Sequence, residues 1–421
     1  MRQILADIAR DYGTPCFVYW VDEVKHRIDA LRRAFGGRFK ISYAVKANPN
    51  PAILRRLWGC ADLLDVSSGG ELARAMDAGW PAELLSFTGP AKRDWELQKA
   101  ADCRVGAVVL ESIDEAARLN AIASRADRPQ PVLIRIAPMK IPAGFGVNMA
   151  GKPCQFGIDE EDLDPAVDRI MRMSHLALRG FHIFAGTQCL RAEVIVRSYE
   201  GFAELFSRVC RNHDIVPEKL IFGSGLGIPY HDGDQPLDLA VIGNGVNPIL
   251  DALRRDLRFA QTELVLETGR YLIGEAGLYL TRIISKKRSR GAEIRICDGG
   301  MNHHLGACGH LGTLIHHNYR MFKIEAENAA TQSSSQRYDI FGPLCTSIDM
   351  LAHSAEFRDL DIGDVLAIRC SGAYGLTASP IHFISHEPPK EILIETAAGQ
   401  LRIEDISQWH THHGTDPANP A

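Results

Sequence analysis

Eight times between residues 41 and 267 a short apolar, β-branched run alternates with a stretch of helical periodicity, and this rhythm constrains the fold more than any other feature of the chain. The runs are 41–45 (ISYAV), 62–66 (DLLDV), 84–88 (LLSFT), 106–110 (GAVVL), 132–136 (VLIRI), 178–183 (LRGFHI), 219–222 (KLIF) and 263–267 (ELVLE). Between them, stretches such as 69–79, 113–126, 162–174 and 192–211 carry apolar residues three and four apart. Eight such alternations predict an α/β fold, an N-terminal (β/α)8 TIM barrel over residues 25–270. An open doubly wound sheet is the competing arrangement, which strand counting alone does not exclude.

From about residue 278 the pattern changes to strand-like runs without long helices: 278–284, 292–297, 364–370, 381–385 and 391–395. They predict a separate C-terminal β-rich domain over 271–421. Residues 325–337 are polar and Ser-rich and read as a mobile surface loop, and the tail from 407 reads as frayed. With 46% hydrophobic and 24% charged residues the chain can bury a large core, and a formal charge of -5 gives no field to recruit nucleic acid or an acidic membrane. A small-molecule partner is expected. Ten scattered cysteines without a C-x-x-C pair read as reduced thiols, and no apolar run has the length of a membrane span. A soluble cytoplasmic protein is expected.

In a barrel of this kind the active site is built at the C-terminal ends of the strands. The first run leads into Lys46, where a partly desolvated amine is suited to Schiff-base chemistry; a solvated loop lysine is the bland alternative. The seventh ends in the glycine-rich turn Gly223-Ser224-Gly225, able to bring backbone N–H groups close to an anion, or simply a tight connection. The eighth ends in Glu267-Thr268-Gly269-Arg270, adding a carboxylate and a guanidinium to the same rim. An amine, a phosphate-sized nest, an acid and an arginine around one mouth match the needs of pyridoxal 5'-phosphate.

On these residues the chain resembles the fold-type III pyridoxal-phosphate decarboxylases, the group of ornithine, arginine and diaminopimelate decarboxylases. The likeness runs through YGTP (12–15), YAVKAN (43–48), DVSSGGEL (65–72), GPAK (89–92), QFGI (155–158), HIFAGT (182–187), GSGLG (223–227), ETGRY (267–271), DGGM (298–301), GPLCTSID (342–349) and SGAYG (371–375). It implies a barrel, a β-domain to which the N-terminal segment 1–24 contributes a strand, and a head-to-tail homodimer with shared active sites. It implies that Lys46 forms the Schiff base and that Glu267 pairs with the pyridine nitrogen. Gly223, Ser224, Gly225, Arg270 and Tyr374 match phosphate-holding positions, with Thr187 where the family usually has Ser. Asp65 and Arg135 match positions beside the cofactor. Cys345 resembles the cysteine that reaches in from the partner subunit and returns a proton after carbon dioxide leaves.

Two departures from the family narrow the substrate. Phe184 stands where a His usually stacks on the cofactor ring, with His182 two residues earlier. Thr346 stands where ornithine and diaminopimelate enzymes usually carry an acid for the distal amine, and a hydroxyl cannot pair with an ammonium as a carboxylate does. Asp298 and Asp349 are the other acids that could supply charge there. Segments 148–164, 180–193, 299–305 and 371–389 are similar to the branch of exosortase A-associated pyridoxal-dependent decarboxylases and the carrier-tethered glutamyl decarboxylase of butirosin biosynthesis. The resemblance therefore implies decarboxylation of an acylated or carrier-tethered amino acid to an amine. The alternatives are a decarboxylase of a free diamino acid, or a racemase or non-catalytic regulator of the same fold. His303, His304, Cys308, His310, His316 and His317 invite a metal reading, but no spacing forms a closed zinc pattern, and no metal is expected. The basic stretch Lys286, Lys287, Arg288 and Arg290 reads as an exposed turn, alternatively a docking patch for an acidic carrier.

Overall fold

All eight apolar runs of the first 270 residues form strands in the computed structural model, which describes residues 1–126, 128–309, 317–324 and 335–408. After α1 (Arg2–Asp11), β1 (Cys16–Trp20) and α2 (Val21–Ala34), the chain alternates through β2 (Lys40–Ala44), α3 (Pro51–Leu57), β3 (Leu63–Val66), α4 (Gly69–Asp77), β4 (Leu85–Phe87), α5 (Asp94–Cys103), β5 (Ala107–Leu110) and α6 (Ile113–Ala123). It continues with β6 (Gln130–Ala137), α7 (Leu163–Met171), β7 (Leu176–Ile183), α8 (Ala192–Asn212), β8 (Lys219–Gly223), α9 (Leu239–Arg255) and β9 (Glu263–Thr268).

Strands β2 to β9 pair in parallel, each with the next, and β9 pairs with β2, so the ring closes and the open sheet is excluded. Leu63, Ala107, Val109, Leu133, Ile221 and Val265 form one buried cluster contributed by five of these strands. Every residue of β3 and of β5 is buried, which is why these strands read as unbroken apolar runs. The loops that follow are short because capping residues sit close behind the strand ends. Asn50 accepts from the N–H of Ala52, Ser68 from Glu71 and Ser112 from Glu115, starting α3, α4 and α6.

The chain divides into two compact units, one formed by Val24–Pro229 with Gln235–Leu272, the other by Met1–Glu23, Tyr230–Asp234 and the residues from Ile273 onward. The second contains β10 (Gly277–Ser289), β11 (Ala292–Cys297), β12 (Met321–Lys323), β13 (Gln336–Phe341), β14 (Met350–Phe357), β15 (Val365–Ile368), β16 (Lys390–Ala397) and β17 (Gln400–Asp405). Its sheet runs β14-β13-β11-β10-β1-β16-β17, with β15 pairing β10 and β12. Strand β1 lies antiparallel to β10, with Cys16 opposite Leu280, and parallel to β16, with Cys16 opposite Lys390. Leu5 and Ile8 of α1 pack with Val18, Leu278, Leu280, Ala367, Ile392 and Ile394 on one face of it.

Three expectations change. Residues 381–385 are not a strand: Phe383–Ser385 form a short helical turn in which Ile384 and Ser385 have φ of 49° and 60°, incompatible with extended pairing. Gln336 and Arg337 belong to β13 rather than to a loop, while 325–334 lie outside the described residues. Lys286, Lys287 and Arg288 are on the outer half of β10, with only Arg290 in the turn; Lys286 pairs with Asp361 at 2.7 Å. Among the described residues no helix is long and apolar enough to cross a membrane.

Candidate active site

Lys46 follows β2 in a single helical turn, Val45–Ala47, so its amine stands at the C-terminal rim of the barrel. Its Nζ lies 3.3 Å from Asp65 Oδ2 and 3.5 Å from Glu267 Oε1, and 5.9 Å from the centre of the Phe184 ring. Asp65 and Glu267 are both almost completely buried, on β3 and β9, flanking β2 on its two sides. Ser86 Oγ donates to Asp65 at 3.0 Å and Thr88 adds a second hydroxyl. His182, at 1% exposure, places Nε2 2.9 Å from Glu267 Oε2, while its Nδ1 has no hydrogen-bond partner among the described residues.

The two acids titrate in opposite directions. Burial and the nearby Glu267 raise the pKa of Asp65. Burial works against ionised Glu267 as well, but Lys46 and then His182 outweigh it and hold the carboxyl at about 2. Glu267 is therefore the anion of the pair, and Asp65 the group that takes up a proton more readily.

These groups open onto a cavity of about 200 Å³ lined by Lys46, Ser67, Thr88, Gly89, Pro90, Arg135, Met149, Phe156, His182, Phe184 and Glu267. The Arg135 guanidinium lies 4.5 Å over the Phe156 ring and is paired with Glu111 at 3.0 Å. Lys46 and Glu267, expected at this rim, and Arg135, His182 and Phe184, expected beside the cofactor from the resemblance, line one space. Sequence reading missed Thr88, Gly89, Met149, Phe156 and Glu111. Thr88 and Gly89 sit directly after β4, where the strand-end rule points, whereas Met149 and Phe156 come from a long connection with no periodic signal.

The glycine turn adjoins this cavity. A Cβ on Gly223 would lie 2.4 Å from Phe184, so the bare backbone is what admits that ring. Gly225 has φ of 65° and faces Phe145, and Ser224 is buried, its N–H bonded to the Glu267 carbonyl. Thr187 pairs with Val147 in a two-residue ladder. Arg270 begins the short helix Arg270–Ile273. A larger depression of about 630 Å³ lies between residues 138–142 and α8; no predicted site residue lines it.

The other predicted residues belong to the second unit. Cys345 and Ile348 are exposed and Thr346 is half-buried in the turn after β13. Asp349 closes that turn from inside: its carboxylate accepts from the N–H groups of Met301 at 2.6 Å and Leu344 at 2.8 Å. Asp298 accepts from Thr14 at 2.6 Å, Thr281 at 2.8 Å and the Arg282 N–H at 2.8 Å. Both acids are thus engaged by neighbouring N–H and O–H groups. Tyr374 sits at φ 54° in the turn between Ser371 and Gly375. His303 bonds Tyr279 and His304 bonds Ser371, and burial lowers their pKa values to about 4 and about 3. They are neutral core histidines. His310 and His316 lie outside the described residues.

Residues 21–274 match the family described as pyridoxal-dependent decarboxylase, pyridoxal binding domain. The chain is 33% identical to the L-glutamyl-[BtrI acyl-carrier protein] decarboxylase of Niallia circulans, over 94% of this chain and 92% of that one. It is 30% identical to the diaminopimelate decarboxylase of Aquifex aeolicus, over 94% and 90%. The crystal structure of diaminopimelate decarboxylase from Helicobacter pylori complexed with L-lysine is similar with a TM-score of 0.82 and 25% identity, covering 95% of each chain.

Proposed function

The chain belongs to the pyridoxal-dependent decarboxylases, and from that premise we propose that its substrate is an amino acid whose far end is acylated or tethered to a carrier. The reaction of the family is carboxy-lyase chemistry: the bond from Cα to the carboxylate breaks, carbon dioxide leaves, and a proton takes its place to give an amine. When bound, pyridoxal phosphate supplies the sink for the electron pair that carbon dioxide leaves behind. The donor set fits that group. Lys46 offers the amine, Glu267 an ionised acid, the Gly223–Gly225 turn and Arg270 an anion site, and Phe184 an apolar face. The buried His182 Nδ1, without a hydrogen-bond partner among the described residues, marks the cavity wall as prepared for more than solvent.

In this reading each side chain has a defined task. Lys46 would hold the cofactor through its amine. Asp65 and Glu267 keep the Lys46 amine at the cavity floor. Glu267, held ionised by Lys46 and His182, would hold a protonated ring nitrogen by its charge. Met149, Phe156 and Phe184 exclude water, so that the substrate carboxylate loses hydration as it enters. The exposed Cys345 supplies the proton to Cα in a homodimer with shared sites, and Tyr374 and Thr187 help hold the phosphate. Ten free cysteines agree with a reducing cytoplasm.

The observation that carries the substrate reading is at the GPLC turn. Thr346 brings no charge, and Asp298 and Asp349 already spend their oxygens on neighbouring N–H and O–H groups. A free ammonium at the far end of the substrate has no dedicated acid in that stretch. The relative that acts on a carrier-bound glutamyl group supports the same reading. Carbon dioxide release from protein loaded with pyridoxal phosphate tests it, with Lys46→Ala as the inactive control. Free lysine, ornithine, diaminopimelate and glutamate are compared with N-acylated and carrier-tethered amino acids. Turnover of the acylated or tethered set alone is expected; rapid turnover of a free diamino acid overturns the proposal.

A further inference from the structure

Lys92, Glu111 and Glu115 are charged, 5% exposed or less, and unused in the reaction described above. Lys92 closes the GPAK stretch, and the two acids bracket the turn from β5 into α6. Glu111 Oε1 accepts from the Gly89 N–H at 3.0 Å and Oε2 from the Gly157 N–H at 2.7 Å, while Arg135 Nη1 lies 3.0 and 3.3 Å from the two oxygens. Gly89 and Arg135 line the cavity, and Gly157 follows Phe156, which also lines it. One carboxylate therefore ties together three separate stretches of the cavity wall.

Glu111 is itself fixed from behind. Its N–H donates to Glu115 Oε2 at 2.8 Å, and Lys92 Nζ lies 2.6 Å from Glu115 Oε1 while donating to the carbonyls of Gly89 at 2.7 Å and Val109 at 2.9 Å. Two acids and two cations balance in one buried cluster. Apolar side chains of the same volume often serve stability as well as a buried charge set, so its presence beside a cavity points to a task in placing charge. The task is legible in the register. Arg135 pairs with His182 across β6 and β7, and His182 is hydrogen-bonded to Glu267. Arg135 already lowers the pKa of Glu267 through space. A guanidinium released by Glu111 stays within electrostatic reach of Glu267.

We infer that Glu111 is a positioning residue: it holds Arg135 on the cavity wall and off Glu267, leaving the Glu267 carboxylate to the cofactor ring. The inference rests on the cofactor reading of the cavity. The test uses the full chain as wild type, Glu111→Gln, Arg135→Met and the double variant, titrated with pyridoxal phosphate while its absorption band and Kd are followed. Glu111→Gln is expected to weaken binding about tenfold or more and to shift the band, since a hydrogen bond to a charged group is lost and Glu267 is neutralised. Adding Arg135→Met to it should move the band back toward that of Arg135→Met alone, with less than the product of the two losses in Kd. A wild-type Kd and band in Glu111→Gln overturn the inference, as do losses that simply multiply in the double variant. Should Glu111→Gln not fold, Glu111→Asp keeps the charge but draws it back from Arg135, and wild-type binding and band there overturn the inference equally. Wild-type protein that takes up no pyridoxal phosphate removes the cofactor reading, and this inference with it.

Discussion

Replacing Glu267 by Gln changes one oxygen to an amide in a side chain of nearly the same shape, and its consequence can be worked from two contacts. The carboxylate sits 2.9 Å from His182 Nε2 and 3.5 Å from Lys46 Nζ, at 1% exposure. These neighbours hold its pKa at about 2, against an ordinary 4.5. An acid whose folded pKa lies below its unfolded one stabilises the fold above about pH 4.5 and loses that contribution as pH falls toward 2. The difference corresponds to about 3 kcal/mol at neutral pH. Asp65 offsets part of it, because its own pKa is raised in part by Glu267 and falls once that charge is gone. The remaining gap is fully present above about pH 4.5 and shrinks as pH falls toward 2, to less than about half by pH 3. Urea unfolding without added cofactor, followed by tryptophan fluorescence at pH 7, 5, 4 and 3, measures this gap. A gap that stays constant across the series refutes the reasoning, because it assigns the loss to shape or packing and not to the charge.

Other outcomes follow from the same residues. Cys345→Ala should lower amine formation by about a hundredfold, the usual scale for a missing proton donor; mass spectrometry should then find carbonyl side products, and an unchanged rate and product removes Cys345 from the reaction. Thr346→Glu should raise kcat/KM for ornithine or diaminopimelate relative to an acylated substrate by about tenfold or more, the scale of one charge-assisted hydrogen bond. Asp349→Asn leaves one of two N–H donors, on Met301 or Leu344, facing an amide, and should cost about 1–3 kcal/mol of stability in a urea melt. Amide exchange at Leu344 should quicken in the same variant.

The barrel was legible because its strands are buried on both faces, so sequence and burial coincide from Lys40 to Thr268. In the second unit the strands Gly277–Ser289, Ala292–Cys297, Val365–Ile368 and Lys390–Ala397 were legible as apolar runs, but others were not, and the reason is visible in their burial. Gln400–Asp405 is exposed at all six positions and carries only two apolar residues, Leu401 and Ile403, too short a trace to read as a strand, and Gln336–Phe341 buries only Tyr338 and Ile340. Ile381–Ser385 failed in the opposite sense: three of its five residues are apolar, but Phe383 and Ile384 are exposed, and Ile384 and Ser385 have positive φ. In the cavity, residues that follow strands directly were readable by position. Glu111 was not, because an acid at a strand end looks like any helix-start residue until Gly89, Arg135 and Gly157 are seen around it.

The placement of β1 sets an order of events during synthesis. Cys16–Trp20 is inserted between β10 and β16, and the Tyr19 hydroxyl donates to Glu391 at 3.1 Å across 372 residues of chain. At a synthesis rate of about 5–20 residues per second, this strand waits roughly 20 to 70 s for its second neighbour to be made. Until then one edge of a fully apolar pentapeptide, Cys-Phe-Val-Tyr-Trp, is open to any other extended chain. The nascent protein is therefore most exposed to misassociation through its first twenty residues, and a chain cut short before residue 390 would keep that exposure permanently.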